Sequence, residues 1–166
     1  MSNSEKNEKS AEKIQIVVFR LGDEEYGLHI DQIKEVVLTP NITKMPKTPD
    51  YVKGVANIRG NVIAIIDLQS KFGLAETNGT TQASYTLVIE SDEFKMGVLV
   101  HDVPNTLSID VNSIENDVFT GEAFSEKGNF GGIVKMEDWL IVLIDIINVI
   151  TDQETTQFFK KQKETA

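Results

Sequence analysis

The chain contains a stretch that it uses twice. Gly54 to Leu68 reads Gly-Val-Ala-Asn-Ile-Arg-Gly-Asn-Val-Ile-Ala-Ile-Ile-Asp-Leu, and Gly132 to Ile146 reads Gly-Ile-Val-Lys-Met-Glu-Asp-Trp-Leu-Ile-Val-Leu-Ile-Asp-Ile. Aligned without a gap, each is a glycine, a short apolar strand, a polar turn, and a second apolar strand ending in aspartate. Arg59-Gly60-Asn61 supplies the first turn and Glu137-Asp138 the second. Gly, Asn and Asp tolerate positive φ at little steric cost, so such turns reverse the chain between antiparallel strands. The repeat predicts one hairpin built twice, with Gly54, Asn57 and Gly60 shaping the first copy.

A second echo lies upstream of each. Tyr26-Gly27-Leu28-His29-Ile30 follows the turn Gly22 to Glu25, and Phe94 to Val100 follows the turn Ser91 to Glu93. Gly27 and Gly97 stand 70 residues apart, whereas Gly54 and Gly132 stand 78 apart. The difference implies an insertion of roughly eight residues in the second copy, expected in Phe119 to Gly131, and two tandem units are too few for a solenoid.

Residues 1–13 are polar with alternating charge and read as a disordered arm. The first unit runs over about 14–76 and the second over about 83–150, with a Thr/Asn/Gly-rich linker between them. Within the first unit, Ile14–Leu21 and Glu25–Ile30 form a hairpin. Asp31 caps an expected short helix over Gln32–Val36, because Ile33, Val36 and Val37 sit at helical spacing. Pro40, Pro46 and Pro49 restrict Ile42–Met45 to an edge strand, and Thr48-Pro49 opens a helical turn ending at Gly54. Leu68–Phe72 makes another helical turn, closed by Gly73. Thr151 with Glu154 resembles a capping box and starts a helical tail over 151–166 that carries Phe158 and Phe159. Many short strands with little sustained helical periodicity predict a mostly β protein of small antiparallel barrels.

Half the chain buries only a modest core alone, so two halves sharing apolar surface is the more stable arrangement. The absence of cysteine excludes disulfides, thiolate metal sites and cysteine nucleophiles, and favours a reducing compartment. The N-terminus lacks the apolar segment of a secretory signal, and Leu140–Ile150 is too short to span a bilayer, so the expected location is the cytoplasm without membrane insertion. The net charge of −10 is uneven: residues 1–76 carry 11 acids and 10 bases, whereas residues 77–151 carry 12 acids against Lys95, Lys127 and Lys135. Lys44, Lys47, Lys53, Arg59 and Lys71 are too few, and lack interleaved aromatics, for a nucleic-acid footprint.

Asp67 and Asp145 each end an apolar strand, a placement shared with phospho-acceptor aspartates. The repeat lacks a second acidic cluster or a phosphate-cradling glycine loop, which favours caps on the following helical turns. A phospho-acceptor switch on either aspartate is the alternative function. His29 and His101 have no orienting group or co-ligands at useful spacing, so neither metal nor catalysis is expected of them. Gly131-Gly132 and Gly60 lack the strand-then-helix context of a nucleotide loop, and Trp139 opens a strand as a core or interface residue. No catalytic constellation, metal site or cofactor site emerges. What remains is a binding surface.

Gly22-Asp23-Glu24-Glu25-Tyr26-Gly27-Leu28-His29-Ile30, Ile33-Lys34-Glu35-Val36, Pro49 to Gly60, and Ile65-Ile66-Asp67-Leu68 with Lys71-Phe72-Gly73 resemble the CheW family of chemotaxis coupling proteins. The likeness extends over roughly Ile14 to Ile150; Ala64 and Gln69 stand where the family often has proline and arginine, and Ile109 to Gly131 is dissimilar. It implies two five-stranded β-barrels around shared apolar surface. It also implies a non-enzymatic adaptor that joins chemoreceptors to the regulatory domain of the histidine kinase CheA, without a cofactor. The residues it implies for the receptor are Ile33, Glu35, Val36 and Arg59, with Val98 and Val100 on the second barrel.

Overall fold

The computed structural model describes residues 12–74, 84–92, 94–115 and 130–150. In chain order the strands are β1 (Lys13–Leu21), β2 (Glu24–His29), β3 (Ile33–Leu38), β4 (Val52–Ile58), β5 (Asn61–Asp67), β6 (Tyr85–Glu90), β7 (Lys95–Val100), β8 (Asn105–Asp110), β9 (Ile114–Glu115), β10 (Phe130–Lys135) and β11 (Leu140–Ile144). Two single-turn helices, α1 (Leu68–Lys71) and α2 (Ile146–Ile150), follow β5 and β11. The protein is mostly β, as its repeat predicts. The expected arm up to Ala11, most of the insertion and the helical tail from Thr151 lie outside the described residues.

The strands form two sheets, ordered β3-β6-β7-β5-β4 and β8-β1-β2-β11-β10-β9. Apart from the edge strand β9, the second order becomes the first when each strand is replaced by its counterpart in the other copy: β1 and β2 for β6 and β7, β8 for β3, and β10 and β11 for β4 and β5. Each half of the duplication therefore gives its opening hairpin to the sheet made by the later strands of the other half. The pairings are direct: β6 runs antiparallel to β3 from Ile33↔Ile89 to Leu38↔Tyr85, and β7 runs parallel to β5 from Ala64↔Met96 to Asp67↔Leu99. Compact units accordingly do not divide at the linker. Among the described residues, one falls within 17–25 and 30–105, and the other within 12–16, 26–29 and 106–150.

In the first of these units, Ala56, Ile58, Ile63, Ile65, Val88 and Leu99 form a buried cluster, with Val37 and Ile42 packed against it. β4 alternates as expected, with Ala56 and Ile58 buried, Val55 half-buried and Asn57 exposed. β7 is buried along nearly its whole length because it is a central strand with both faces covered. Gly97 allows β7 to lie close to its neighbours: an added Cβ would sit 2.6 Å from Thr86 Cγ2 and 2.7 Å from Ile65 Cδ1. Its counterpart in the other unit, Gly27, packs among Ile16, Ile141 and Leu143, each 3.3 Å from the place a Cβ would take.

Three local expectations need correction. Ile30–Gln32 is a single 3-10 turn, and Ile33, Glu35 and Val36 lie on strand β3 rather than on a helix. A helix of five residues is marginal alone, and pairing with β6 outweighs the local periodicity. Thr48–Gly54 is not a helical turn: Val52 N–H donates to Pro49 O at 3.0 Å and β4 begins at once. Gly54 belongs not to the hairpin turn but to a bulge, at φ 139°, where a Cβ would stand 2.1 Å from the Thr43 carbonyl oxygen. That close approach is what permits the Thr43↔Val55 bridge.

Candidate protein-binding face

The β4–β5 turn places Arg59. Arg59 and Gly60 have φ of 54° and 86°, a left-handed pair that matches the twist of the strands it joins, and Asn57 Oδ1 accepts a hydrogen bond from Gly60 N–H at 2.9 Å. A non-glycine residue in this region costs about 1–2 kcal/mol. The conformation projects the guanidinium to Glu35 on β3, with Arg59 Nε donating to Glu35 Oε1 at 2.5 Å. β3 and β4 are opposite edges of the five-stranded sheet, so this pair requires the sheet to curl upon itself.

Beside the pair, β3 alternates. Glu35 and Val37 are half-buried, whereas Lys34, Val36 and Leu38 are exposed; Val36 and Leu38 retain 42% and 64% of their surface. Lys34 forms an ion pair with Glu90 at 3.2 Å; that contact raises the lysine pKa and lowers the carboxyl pKa. Register places Val36 opposite Leu87, and Val62 on the same sheet face is 74% exposed. Leu38 escapes a reading based on helical spacing; strand alternation through β3 and β5 is the signal that finds it and Val62.

The predicted set is only partly brought together. Glu35 and Arg59 are in contact, Val36 faces outward on the neighbouring position, and Ile33 is half-buried at the start of β3. Val98 and Val100 do not join the face and do not belong to the second barrel's strands. Both are fully buried in β7, within the sheet that holds β3 and Arg59. Their alternation cannot distinguish an edge strand from a central one whose two faces are covered.

Asp67 is structural. Its Oδ1 accepts the Gln69 N–H at 3.0 Å and caps α1, while Oδ2 lies 3.6 Å from His101 Nε2 and 3.8 Å from Lys53 Nζ. Burial pushes this carboxyl pKa up, but the His101 hydrogen bond and charge, the Lys53 ammonium and the Gln69 N–H together hold it below its ordinary value. Asp145 does the same work before α2, accepting from Asn148 Nδ2 at 3.0 Å and from Asn148 N–H at 3.4 Å. Carboxylates held in this way serve the helical turns that follow them. Among the described residues, no group of three His, Cys, Asp or Glu is placed to hold a metal ion, and no helix is long and apolar enough to cross a membrane.

A CheW-like domain model matches residues 15–154, and the chain belongs to that family. It is 32% identical over 150 residues to chemotaxis protein CheW of Helicobacter pylori, covering 90% of this chain and 88% of that one. It is 26% identical over 148 residues to CheW of Treponema pallidum, covering 86% and 85%. The crystal structure of scaffolding protein TtCheW from Thermoanaerobacter tengcongensis superposes with a TM-score of 0.73 at 34% identity, over 86% of this chain and 91% of that one. The family's proteins are chemotaxis scaffolds rather than enzymes, adaptors that couple receptors to the kinase CheA.

Proposed function

We propose that this adaptor takes the cytoplasmic tip of a chemoreceptor on the face made by Arg59, Glu35 and the outward side of β3, and that it holds the regulatory domain of CheA elsewhere. The observation that carries this reading is the Arg59–Glu35 clasp beside exposed Val36 and Leu38. Apolar anchors supply affinity at such a face, and a fixed guanidinium adds a directional, charge-assisted hydrogen bond. Ile33 contributes by seating the start of β3. Control of the kinase then requires the receptor to favour one arrangement of the complex over another, through contacts that differ between the two. The protein works in the cytoplasm, attached to receptor arrays through its partners, and handles neither nucleic acid nor a cofactor.

The test is binding of a purified receptor signalling fragment to the wild-type chain and to Arg59→Glu. Reversing a charge at an interface centre costs about 2–5 kcal/mol, so binding should weaken at least tenfold while circular dichroism stays unchanged. Equal binding by the two proteins would remove Arg59 from the interface.

A further inference from the structure

The two residues at the tip of the β4–β5 hairpin do not by themselves specify the turn they make. Ile58 pairs with Asn61, which leaves Arg59 and Gly60 as the central residues. An ordinary residue followed by glycine is the pattern of a type II turn, in which the first keeps a negative φ and only the glycine is left-handed. Here both are left-handed, at φ 54° and 86°. That is the type I′ form, whose first position favours Asn, Asp or Gly over a side chain such as arginine. The twist of the flanking strands favours this form, and the arginine's own Cβ opposes it.

The two turns differ at residue 59. Its ψ is about 30° in an ideal type I′ turn and about 120° in type II, and ψ sets the direction in which the next N–H points. In this structure the Gly60 N–H donates to Asn57 Oδ1 at 2.9 Å. Asn57 is exposed on β4 and takes no part in the buried cluster of its unit. Resting on the receptor face proposed above, we infer that Asn57 is the positioning residue of that face. By accepting from Gly60 N–H it selects the type I′ turn, and that turn carries the Arg59 guanidinium to Glu35 and presents it to the receptor. Asn57 acts through Arg59. Without the acceptor, residue 59 returns to negative φ and its guanidinium leaves Glu35.

The experiment compares the full-length chain with Asn57→Ala and with Asn57→Asp, which keeps an oxygen for the Gly60 N–H. The first readout needs no receptor: the Arg59 Nε–H signal in proton–nitrogen correlation spectra, assigned by its absence from Arg59→Gly. It should move toward the position of a solvated arginine in Asn57→Ala and stay near its wild-type place in Asn57→Asp. The second readout is affinity for a purified receptor signalling fragment, at salt high enough to screen the charge that the aspartate adds. Asn57→Ala should weaken binding about fivefold, the net worth of one hydrogen bond, and Asn57→Asp should bind as the wild type does. In an Arg59→Gly background, Asn57→Ala should bring no further loss, because no guanidinium is left to aim. An unmoved Nε–H signal in Asn57→Ala overturns the assignment, and so does wild-type affinity of that variant or an equal loss with and without Arg59. Wild-type affinity of Arg59→Gly overturns the receptor face instead, and the spectrum then still decides whether Asn57 sets the arginine.

Discussion

Arg59 Nε donates to Glu35 Oε1 at 2.5 Å, joining a turn residue held at φ 54° to a strand at the other edge of its sheet. Arg59 is 72% exposed and Glu35 21%. A pair so open to solvent contributes at most about 1 kcal/mol to folding, while the arginine's backbone conformation costs about that much. The arrangement gains little stability for the fold, which fits the proposal that the guanidinium serves a partner.

That balance predicts a separation of stability from function. Arg59→Gly should leave Tm unchanged or raise it, by up to about 1 kcal/mol in stability, because glycine relieves the positive φ. The same variant should lose receptor-fragment binding. Thermal unfolding and a binding isotherm on one protein preparation check both; a stabilised variant that binds normally would show that the side chain is dispensable.

Gly54→Ala should be far more damaging than any substitution on the exposed face. The new Cβ would meet backbone atoms, with Thr43 O at 2.1 Å, and a positive φ adds to the strain. A cost of at least about 3 kcal/mol is expected, since core overpacking and left-handed strain each contribute about 1–3 kcal/mol. Denaturant unfolding measures it, and a midpoint equal to wild type would contradict the close approach.

The Asp67 cap makes a pH prediction. Its folded pKa lies below the ordinary 3.8, so its contribution is complete above that value and is lost as pH falls through the folded pKa. Asp67→Asn keeps an oxygen for the cap but removes the charge facing His101 and Lys53, so it should destabilise the protein at neutral pH by about 1 kcal/mol or more. It should also flatten the dependence of stability on pH below 3.8. An unchanged slope across that window would show that Asp67 is not held ionised by its neighbours.

Asp67 and Asp145 should both fail to form an acyl phosphate when the protein is incubated with a small phosphodonor and magnesium. Asp67 has one carboxylate oxygen on the Gln69 N–H and the other facing His101 and Lys53, Asp145 has both on Asn148, and Asp67 is only 8% exposed at its side chain. Asp145→Ala should cost about 1 kcal/mol and leave receptor binding intact. Stable phosphate labelling at either aspartate would reopen the switch reading.

The duplication, the strands, the I′-like turn at Arg59-Gly60 and the capping aspartates are legible in the sequence because each is a local pattern. What is not legible is where a hairpin goes after it forms. Nothing local in Tyr85–Glu90 or Lys95–Val100 distinguishes pairing within its own half from insertion between β3 and β5, and this exchange is why Val98 and Val100 are interior. Gln32–Val36, expected as a short helix, misleads for a related reason. Ile33, Val36 and Val37 fit a helical face, yet β6 offers a paired backbone that a short helix cannot match. At the candidate face, Arg59 enters through the family resemblance, since beside a turn it reads first as a solvated side chain, and Leu38 becomes visible only once β3 is known to be a strand.

The most direct measurement of the central claim is kinase activity in a mixture of receptor signalling fragment, CheA and this protein, with assembly followed by co-sedimentation. The account predicts a sedimenting ternary complex and receptor-dependent kinase activation with the wild-type chain, both lost with Arg59→Glu although that variant remains folded. Full receptor-dependent activation by Arg59→Glu, or activation that does not need this chain at all, would contradict it.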